Sequence, residues 1–570
     1  MQLGAFADDH GTTFRLWTDQ HADCAVRLYG ADLTIAMAPR GEGLFEVRVA
    51  GIGHGERYRF VVDGEELSDP YGRALPEGVG GPAMVYRSSY RWRHDHVTRP
   101  LADHILYELH VGTFTREGTY AAAADRLGHL VELGITTIEL LPVAAFGGHH
   151  GWGYDGVAHY APHPAYGTPD ELRAFVDAAH GVGLSVLMDV VYNHFGPAGN
   201  VLGKYSPRYF TKVPNVWGEA PDFTNPWMRR YVIDNVKTWI AEFRCDGLRF
   251  DAVHAIADAG VVRECIAAAR EALPEALLIA EDDRNDGALV DELGFDAVWA
   301  DDFHHAVHVT LTNERDGYYA AYEPGVEGIA KTIERGWLYE GQIYPTTERP
   351  RGRPAPQLPA EAFVYCIQNH DQVGNRALGE RLTRLTSPEA GRTAALLMLF
   401  LPMTPMLFQG QEWSASTPFL YFTDHEPALG QLISRGRREE FSRFIAFSNP
   451  ESIPDPQARE TFVRSQLDWE ERLKPPHADT LAMMRAAIGL RRRDPVLSRA
   501  GRDALSAEAH GSVLVVRRWV GGSSRILVAN FGEQASEAPL RGSQLVASSK
   551  FELPMLPPWS AAIVASERAG

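Results

Sequence analysis

From residue 104 to residue 408, short apolar runs alternate with stripes of helical period, and this alternation limits the fold more than any other feature of the chain. The runs lie at 104–110, 135–142, 185–190, 246–251, 276–281, 297–302, 362–367 and 404–408. Between the first two, residues 120–133 place Ala124, Leu127, Leu130 and Val131 on one stripe, and Gly134 closes the helix as a C-cap. Thr168-Pro169-Asp170-Glu171 opens the next helix with an N-cap, a first-turn proline and two acids. Its stripe is Leu172, Phe175, Val176 and Ala179. Residues 226–244, 260–273 and 389–400 read as further helices. Residues 305–359 read as mixed helix and loop, with a basic, Pro-rich stretch at 349–356. Eight strands separated by helices predict a (β/α)8 barrel. A doubly wound sheet is the alternative, but no Gly-rich phosphate turn follows the first strand.

The flanks have a different period. Alternating stretches at 13–17, 25–29, 45–49 and 58–62, divided by turns such as Asp63-Gly64, predict an Ig-like β-sandwich over 1–91. A linker rich in charge and aromatics follows at 87–100. The barrel domain is expected over 92–490 and a second β-sandwich over 491–570, from the strands at 512–516, 524–529 and 560–564. After the third barrel strand, residues 193–225 form a long irregular stretch. Its aromatics, Tyr205, Tyr209, Phe210, Trp217 and Phe223, predict an ordered lobe at about 195–225.

Net charge is −19, spread along the chain. That disfavours nucleic acid and anionic membranes as partners and fits a neutral substrate. The cysteines Cys24, Cys245, Cys265 and Cys366 form no CxxC pair, so buried thiols in a reducing compartment are expected. The first residues lack a basic region and an apolar core, and the longest apolar run, 394–402, is too short for a bilayer. A cytoplasmic location follows as the expectation. Oligomeric state is not legible.

Four of the runs end in acids. The third leads through Asp189 to Asn193-His194, the fourth ends in Arg249-Phe250-Asp251, the fifth in Glu281, and the seventh in Asn369-His370-Asp371. In a barrel these strand ends share one rim, where active sites are built. Arg249 and Asp251 are two apart and share a face. Paired carboxylates suit glycoside hydrolysis, one attacking the anomeric carbon and one protonating the leaving oxygen. Rim aromatics (Trp152, Tyr154, Tyr192, Trp217, Trp337, Tyr344 and Trp413) suit sugar faces, with core packing expected for more than half of them.

These four segments resemble the four signature regions of the α-amylase superfamily, in order and spacing. The resemblance implies that Asp251 is the nucleophile, Glu281 the general acid/base and Asp371 the transition-state stabiliser. It implies that Arg249 holds the nucleophile ionised. His194 and His370 would bind the sugar at the cleaved bond, and Tyr154, in Gly153-Tyr154-Asp155, would stack beneath it. Retention through a β-glucosyl ester is then expected, with the Asp251 and Glu281 carboxyls about 5–5.5 Å apart and surroundings that disfavour ionised Glu281.

Within the superfamily, Gly151-Trp152-Gly153-Tyr154-Asp155, Tyr192-Asn193-His194-Phe195-Gly196-Pro197 and Gln368-Asn369-His370-Asp371-Gln372 are similar to the maltooligosyltrehalose trehalohydrolases. So are Ala280-Glu281-Asp282-Asp283 and Phe408-Gln409-Gly410-Gln411-Glu412-Trp413. That likeness implies maltooligosyltrehalose as substrate and α,α-trehalose as product. A branching or debranching enzyme is the alternative, and a non-catalytic glucan-binding barrel is set against the three acids being present. His254 matches a position that contacts the leaving-group side; a loop-packing histidine is its other reading. Calcium-binding relatives use the asparagine at Asn193 as a ligand. The lobe here offers only Asp222 beside it, so no required metal or cofactor is expected and Asn193 is expected to hydrogen-bond the loop. The N-terminal sandwich is expected to brace the barrel rather than bind glucan.

Overall fold

The computed structural model describes residues 2–213, 215, 218–441, 453–540 and 542–567. Eight parallel strands close into a barrel: β1 Leu106–Leu109, β2 Thr137–Leu140, β3 Ser185–Val190, β4 Gly247–Phe250, β5 Leu277–Ala280, β6 Ala297–Trp299, β7 Phe363–Tyr365 and β8 Thr404–Phe408. All eight expected runs are strands. Pairing of β8 with β1 closes the ring and rules out the doubly wound sheet. The sixth strand is shorter than its apolar run. It stops at Trp299, and Asp301 already belongs to the following helix.

The longer helices include α1 Pro169–Gly181, α2 Pro226–Lys237, α3 Ala259–Ala272, α4 Asp301–Thr312, α5 Val326–Arg335, α6 Pro388–Phe400 and α7 His477–Arg493, with a further one at Pro427–Phe441. Thr168 caps α1 in a reciprocal capping box with Glu171. The helix expected over 120–133 is two shorter pieces, Tyr120–Ala124 and Leu127–Leu133, ended by Gly134 at φ 99°. The helix expected over 226–244 loses α geometry after Lys237 and ends in a wide turn, Thr238–Glu242.

Leu106, Leu187, Leu277, Ile279, Trp299, Val364 and Met406 fill the barrel interior. The two-residue period then turns Glu108, Glu139, Asp189 and Arg249 inward above or beside that layer. β4 and β5 approach so closely at Gly247 that a Cβ there would lie 1.9 Å from the Leu277 carbonyl oxygen. Only glycine fits, and this seats the strand that carries Arg249.

Two antiparallel sheets precede the barrel. One is built from Gly4–Asp8, Gly11–Trp17, Leu44–Ala50 and Ala38–Gly41; the other is built around Cys24–Leu28 and Arg57–Val62. Phe14, Leu16, Val26, Leu28, Tyr58 and Phe60 are buried between them. The sandwich leans on the barrel through Tyr231, whose hydroxyl donates to the Pro70 carbonyl (3.2 Å), and through Trp17 stacked on Trp227. It also holds the lobe, since Thr18 Oγ1 donates to the Tyr205 carbonyl (2.7 Å). Tyr205, Tyr209, Phe210 and Phe223 of the lobe are buried as expected; Trp217 lies outside the described residues. The 87–100 linker is tied down by acids, Asp177 taking the N–H groups of Arg93 and His94 and Asp246 that of Val97.

After α7, a five-stranded antiparallel sheet is faced by a two-stranded one, with Val513, Val515, Ile526, Val528, Leu556 and Val564 between them. It is anchored to α6, where Thr393 Oγ1 donates to the Trp559 carbonyl (2.7 Å). All four cysteines are buried free thiols. Among the described residues, no helix is long and apolar enough to cross a membrane.

Candidate active site

Register puts Asp189 of β3 directly beside Arg249 of β4. Arg249 is fully buried, and three carboxylates surround it. Its Nη1 donates to both Asp189 oxygens (2.8 Å each) and to Asp251 Oδ1 (2.9 Å). Its Nη2 lies 2.7 Å from Glu281 Oε2 as an ion pair that is not aligned as a hydrogen bond. The indole of Trp299, at the end of β6, lies 4.2 Å from the guanidinium carbon.

Asp251 has a second donor, Asn193 Nδ2, at 3.0 Å. This corrects the expectation that the Asn193 side chain holds the loop. Its amide oxygen instead meets His194 Nδ1 (2.5 Å), and the loop reaches it through the main chain, Asn215 Nδ2 donating to the Asn193 carbonyl (2.7 Å). β3 and β4 are parallel neighbours, so their exits run side by side and bring 193 against 251.

Directly after Asp251 the chain turns through Ala252 at φ 39° and ψ 56°, a left-handed conformation that disfavours a side chain. That turn aims the Ala252 N–H at Glu281 Oε2 (2.9 Å). Arg249 touches both carboxyls, Nη1 at Asp251 Oδ1 and Nη2 at Glu281 Oε2. Two carboxyls that share one guanidinium are near neighbours, which suits the short separation a retaining glycosidase uses.

The seventh strand end adds His370 and Asp371. His370 Nδ1 meets Glu108 Oε1 (2.6 Å), and its Nε2 lies 3.5 Å from Asp371 Oδ1. The Tyr154 ring stacks on His370 (centroids 4.9 Å apart) and its hydroxyl donates to Asp189 Oδ2 (2.6 Å). Thus Tyr154, His194, Arg249, Asp251, Glu281, His370 and Asp371 converge on one rim. His254 does not join them. It sits on the turn Val253–Ala255 and faces Asp283 at 3.7 Å. Asp282 and Asp283 bring their oxygens within 4.8 Å of His254, the one trio of possible metal ligands among the described residues. Asp282 there is already clamped by Arg284 through Nε and Nη2. Of the rim aromatics, Tyr192, Trp337 and Trp413 are core residues, and Trp152 is buried edge-on to His370.

The electrostatics divide the acids. Burial raises both the Asp251 and Glu281 carboxyls, and Arg249 opposes it for both. Asp251 holds two aligned donors, Arg249 and Asn193, whereas Glu281 has the Ala252 N–H and an unaligned ion pair with Arg249. Negative charge is therefore better supported on Asp251 than on Glu281. Burial works against charge on His370, but Glu108 and Asp371 outweigh it and raise the imidazole to about 10. His370 is a cation at neutral pH. His194, lowered by burial, is neutral.

The catalytic-domain model of the alpha-amylase family matches residues 110–207, and a domain of unknown function, DUF3459, matches residues 502–563. A malto-oligosyltrehalose trehalohydrolase of Deinococcus radiodurans is 49% identical over 92% of this chain and 88% of its own length. The chain belongs to the malto-oligosyltrehalose trehalohydrolase family. A second member of the family, from Rhizobium sp. (strain M-11), is 41% identical over 92% of both chains. A glucan branching enzyme of Corynebacterium glutamicum is 33% identical over only 43% of this chain. A crystal structure from Salmonella typhimurium, described as an alpha amylase, superposes with a TM-score of 0.93 at 39% identity, covering 99% of this chain and all of that one.

Sequence reasoning missed three parts of this family site: Glu108 behind His370, Trp299 beneath Arg249, and Glu139. The signal for Glu108 and Glu139 was their in-register placement on inward positions of β1 and β2. Neither oxygen of the buried Glu139 has a hydrogen-bond partner. Burial raises its carboxyl well above the ordinary 4.5, Glu108 adding and Arg249 opposing. A raised acid stabilises the fold fully below its unfolded value, and that stability is lost as pH climbs to the folded value, at about 1.4 kcal/mol per pH unit. Glu139→Gln is therefore expected to unfold at a higher temperature than the parent, by a margin that widens from about pH 5 to pH 8. Thermal denaturation across that range checks it; a margin that stays flat would contradict a protonated Glu139.

Proposed function

We propose that this chain is a retaining, endo-acting glycoside hydrolase that cuts the α-1,4 bond beside the terminal trehalose of maltooligosyltrehalose and releases α,α-trehalose. The observation that carries the chemistry is one buried guanidinium held between Asp251, which has two aligned donors, and Glu281, which has one. The substrate rests on the names of the relatives.

Asp251 attacks the anomeric carbon as the bond to the leaving oxygen breaks. Glu281 passes its proton to that oxygen, so the departing sugar leaves neutral. The glucosyl unit is now a β-ester on Asp251. Glu281, now a carboxylate, takes a proton from water, which attacks from the vacated side and restores the α configuration. Asp371 faces the positive charge that develops at the ring, and cationic His370 donates to sugar hydroxyls. Tyr154, stacked on His370, offers the ring a flat apolar face. His254 stands apart from these groups beside Asp283, and its place in the reaction is at most the leaving-group side. Four buried thiols without a disulfide fit a reducing cytoplasmic compartment.

Product analysis tests the reading. Incubation with maltooligosyltrehalose is expected to free trehalose, with the new reducing end appearing as the α anomer by proton NMR. New α-1,6 branches from amylose without free trehalose would instead identify a branching transferase.

A further inference from the structure

Beside Asp371 the rim opens into a cavity of about 920 Å3, a size that suits a small-molecule site. Its walls carry Arg284 from the loop after β5, Asp301 and His305 from α4, Tyr318, Tyr344 and Arg351. The polypeptide that bears Glu281 runs straight on into this wall. A proton donor must touch the leaving oxygen, so the cavity lies on the leaving-group side of the cleaved bond.

The wall is held rigid by the second of two adjacent acids. Asp302 is fully buried and accepts from Asn285 Nδ2 (2.8 Å), Leu338 N (2.7 Å), Tyr339 N (2.9 Å) and the Tyr322 hydroxyl (2.5 Å). Arg351 completes this knot, donating to the Tyr322 hydroxyl (3.0 Å) and the Asp283 carbonyl (2.8 Å). Asp301 is its opposite. Among the described residues its carboxyl has neither a hydrogen bond nor an ion pair, and it faces the cavity. A carboxyl left without protein donors in a pre-shaped recess is built to take its partner from a ligand. Burial lifts it to about 7, with Glu281 and Asp371 adding to the shift, so near neutrality it can accept from a hydroxyl or donate to one. Tyr318 supplies the aromatic face such a ligand needs. Its ring is 41% exposed, and it is fixed at its hydroxyl by Gln372 (2.8 Å).

We propose that Asp301 and Tyr318 are specificity-determining residues that seat the non-reducing disaccharide released by the reaction, Asp301 holding its hydroxyls and Tyr318 covering a sugar face. This rests on the hydrolase reading above. A non-reducing disaccharide has no charge and no free anomeric centre, so hydroxyl contacts and aromatic cover are the means of recognising it.

Calorimetric titration of the full chain with trehalose, alongside steady-state kinetics on maltooligosyltrehalose, tests this. Asp301→Ala and Tyr318→Ala are each expected to weaken trehalose binding about tenfold and to raise KM similarly, with a smaller change in kcat. Asp301→Asn is expected to fall between Asp301→Ala and the parent. Tyr318 is a surface residue, so its variant decides the matter should Asp301→Ala fail to fold. Unchanged trehalose affinity in the folded variants, or a loss confined to kcat, overturns the proposal. If the parent chain releases no trehalose at all, the hydrolase reading itself fails, and that outcome is separate from the first.

Discussion

Asn in place of Asp251 is expected to lower kcat on maltooligosyltrehalose by roughly 10⁴-fold or more, equivalent to about 5.5 kcal/mol of transition-state stabilisation. In the proposed mechanism the Asp251 carboxylate forms the glycosyl ester, and an amide oxygen is too weak a nucleophile to replace it. The fold is expected to survive. Arg249 keeps both oxygens of Asp189, and an amide at 251 can still accept from its Nη1. Unfolding temperature and kcat measured on the same preparation separate the two effects. Full turnover by a folded Asp251→Asn variant would sink the nucleophile assignment.

Glu281→Gln is expected to cost about 10²–10⁴-fold on the natural substrate, the usual worth of general acid–base catalysis. Its signature is selective. A glucosyl fluoride, whose leaving group needs no proton, is expected to form the ester at near-parental rate, because Asp251 is untouched. The second step then lacks its base, and added azide, which needs none, is expected to capture the ester as β-glucosyl azide. The pH profile follows from sign. In the proposed mechanism Glu281 works as the acid form, and burial raises its carboxyl above the ordinary 4.5. Activity should therefore fall on the alkaline side as pH passes through the raised value, and Gln should abolish that limb. Equal losses on the fluoride and the natural substrate would show that Glu281 is not the proton donor.

The barrel was legible because eight short apolar runs alternate with stretches of helical period. The acids at 251, 281 and 371 were legible because a carboxylate that closes a buried strand has few places to go but the rim. Partners were not legible. A two-residue period tells which face Glu108 and Glu139 occupy, but not that one meets His370 and the other meets no donor at all. Asn193 is a similar case. Its neighbour in space is fixed by the exit of the adjacent strand, a long-range property that nothing local encodes. Asp301 and Asp302 show the limit most sharply. In sequence they are two acids where an apolar run gives way to a helix. In the fold one is fully hydrogen-bonded and the other waits in a cavity, because a one-residue step along a helix turns the side chain by about 100°. The short helices also escaped, as the break at Asp125–Arg126 has no glycine or proline to mark it.

The ring of groups around Arg249 has a pharmacological consequence. Among the described residues, four carboxylates, Glu108, Asp189, Asp251 and Asp371, stand against two cations, Arg249 and His370, at this rim. That surplus of negative charge favours any guest that carries a cation where the sugar ring sits. Sugar mimics with a basic nitrogen in the ring should therefore be held more tightly than their oxygen counterparts. Phosphorylated glucans should be turned away at the same point.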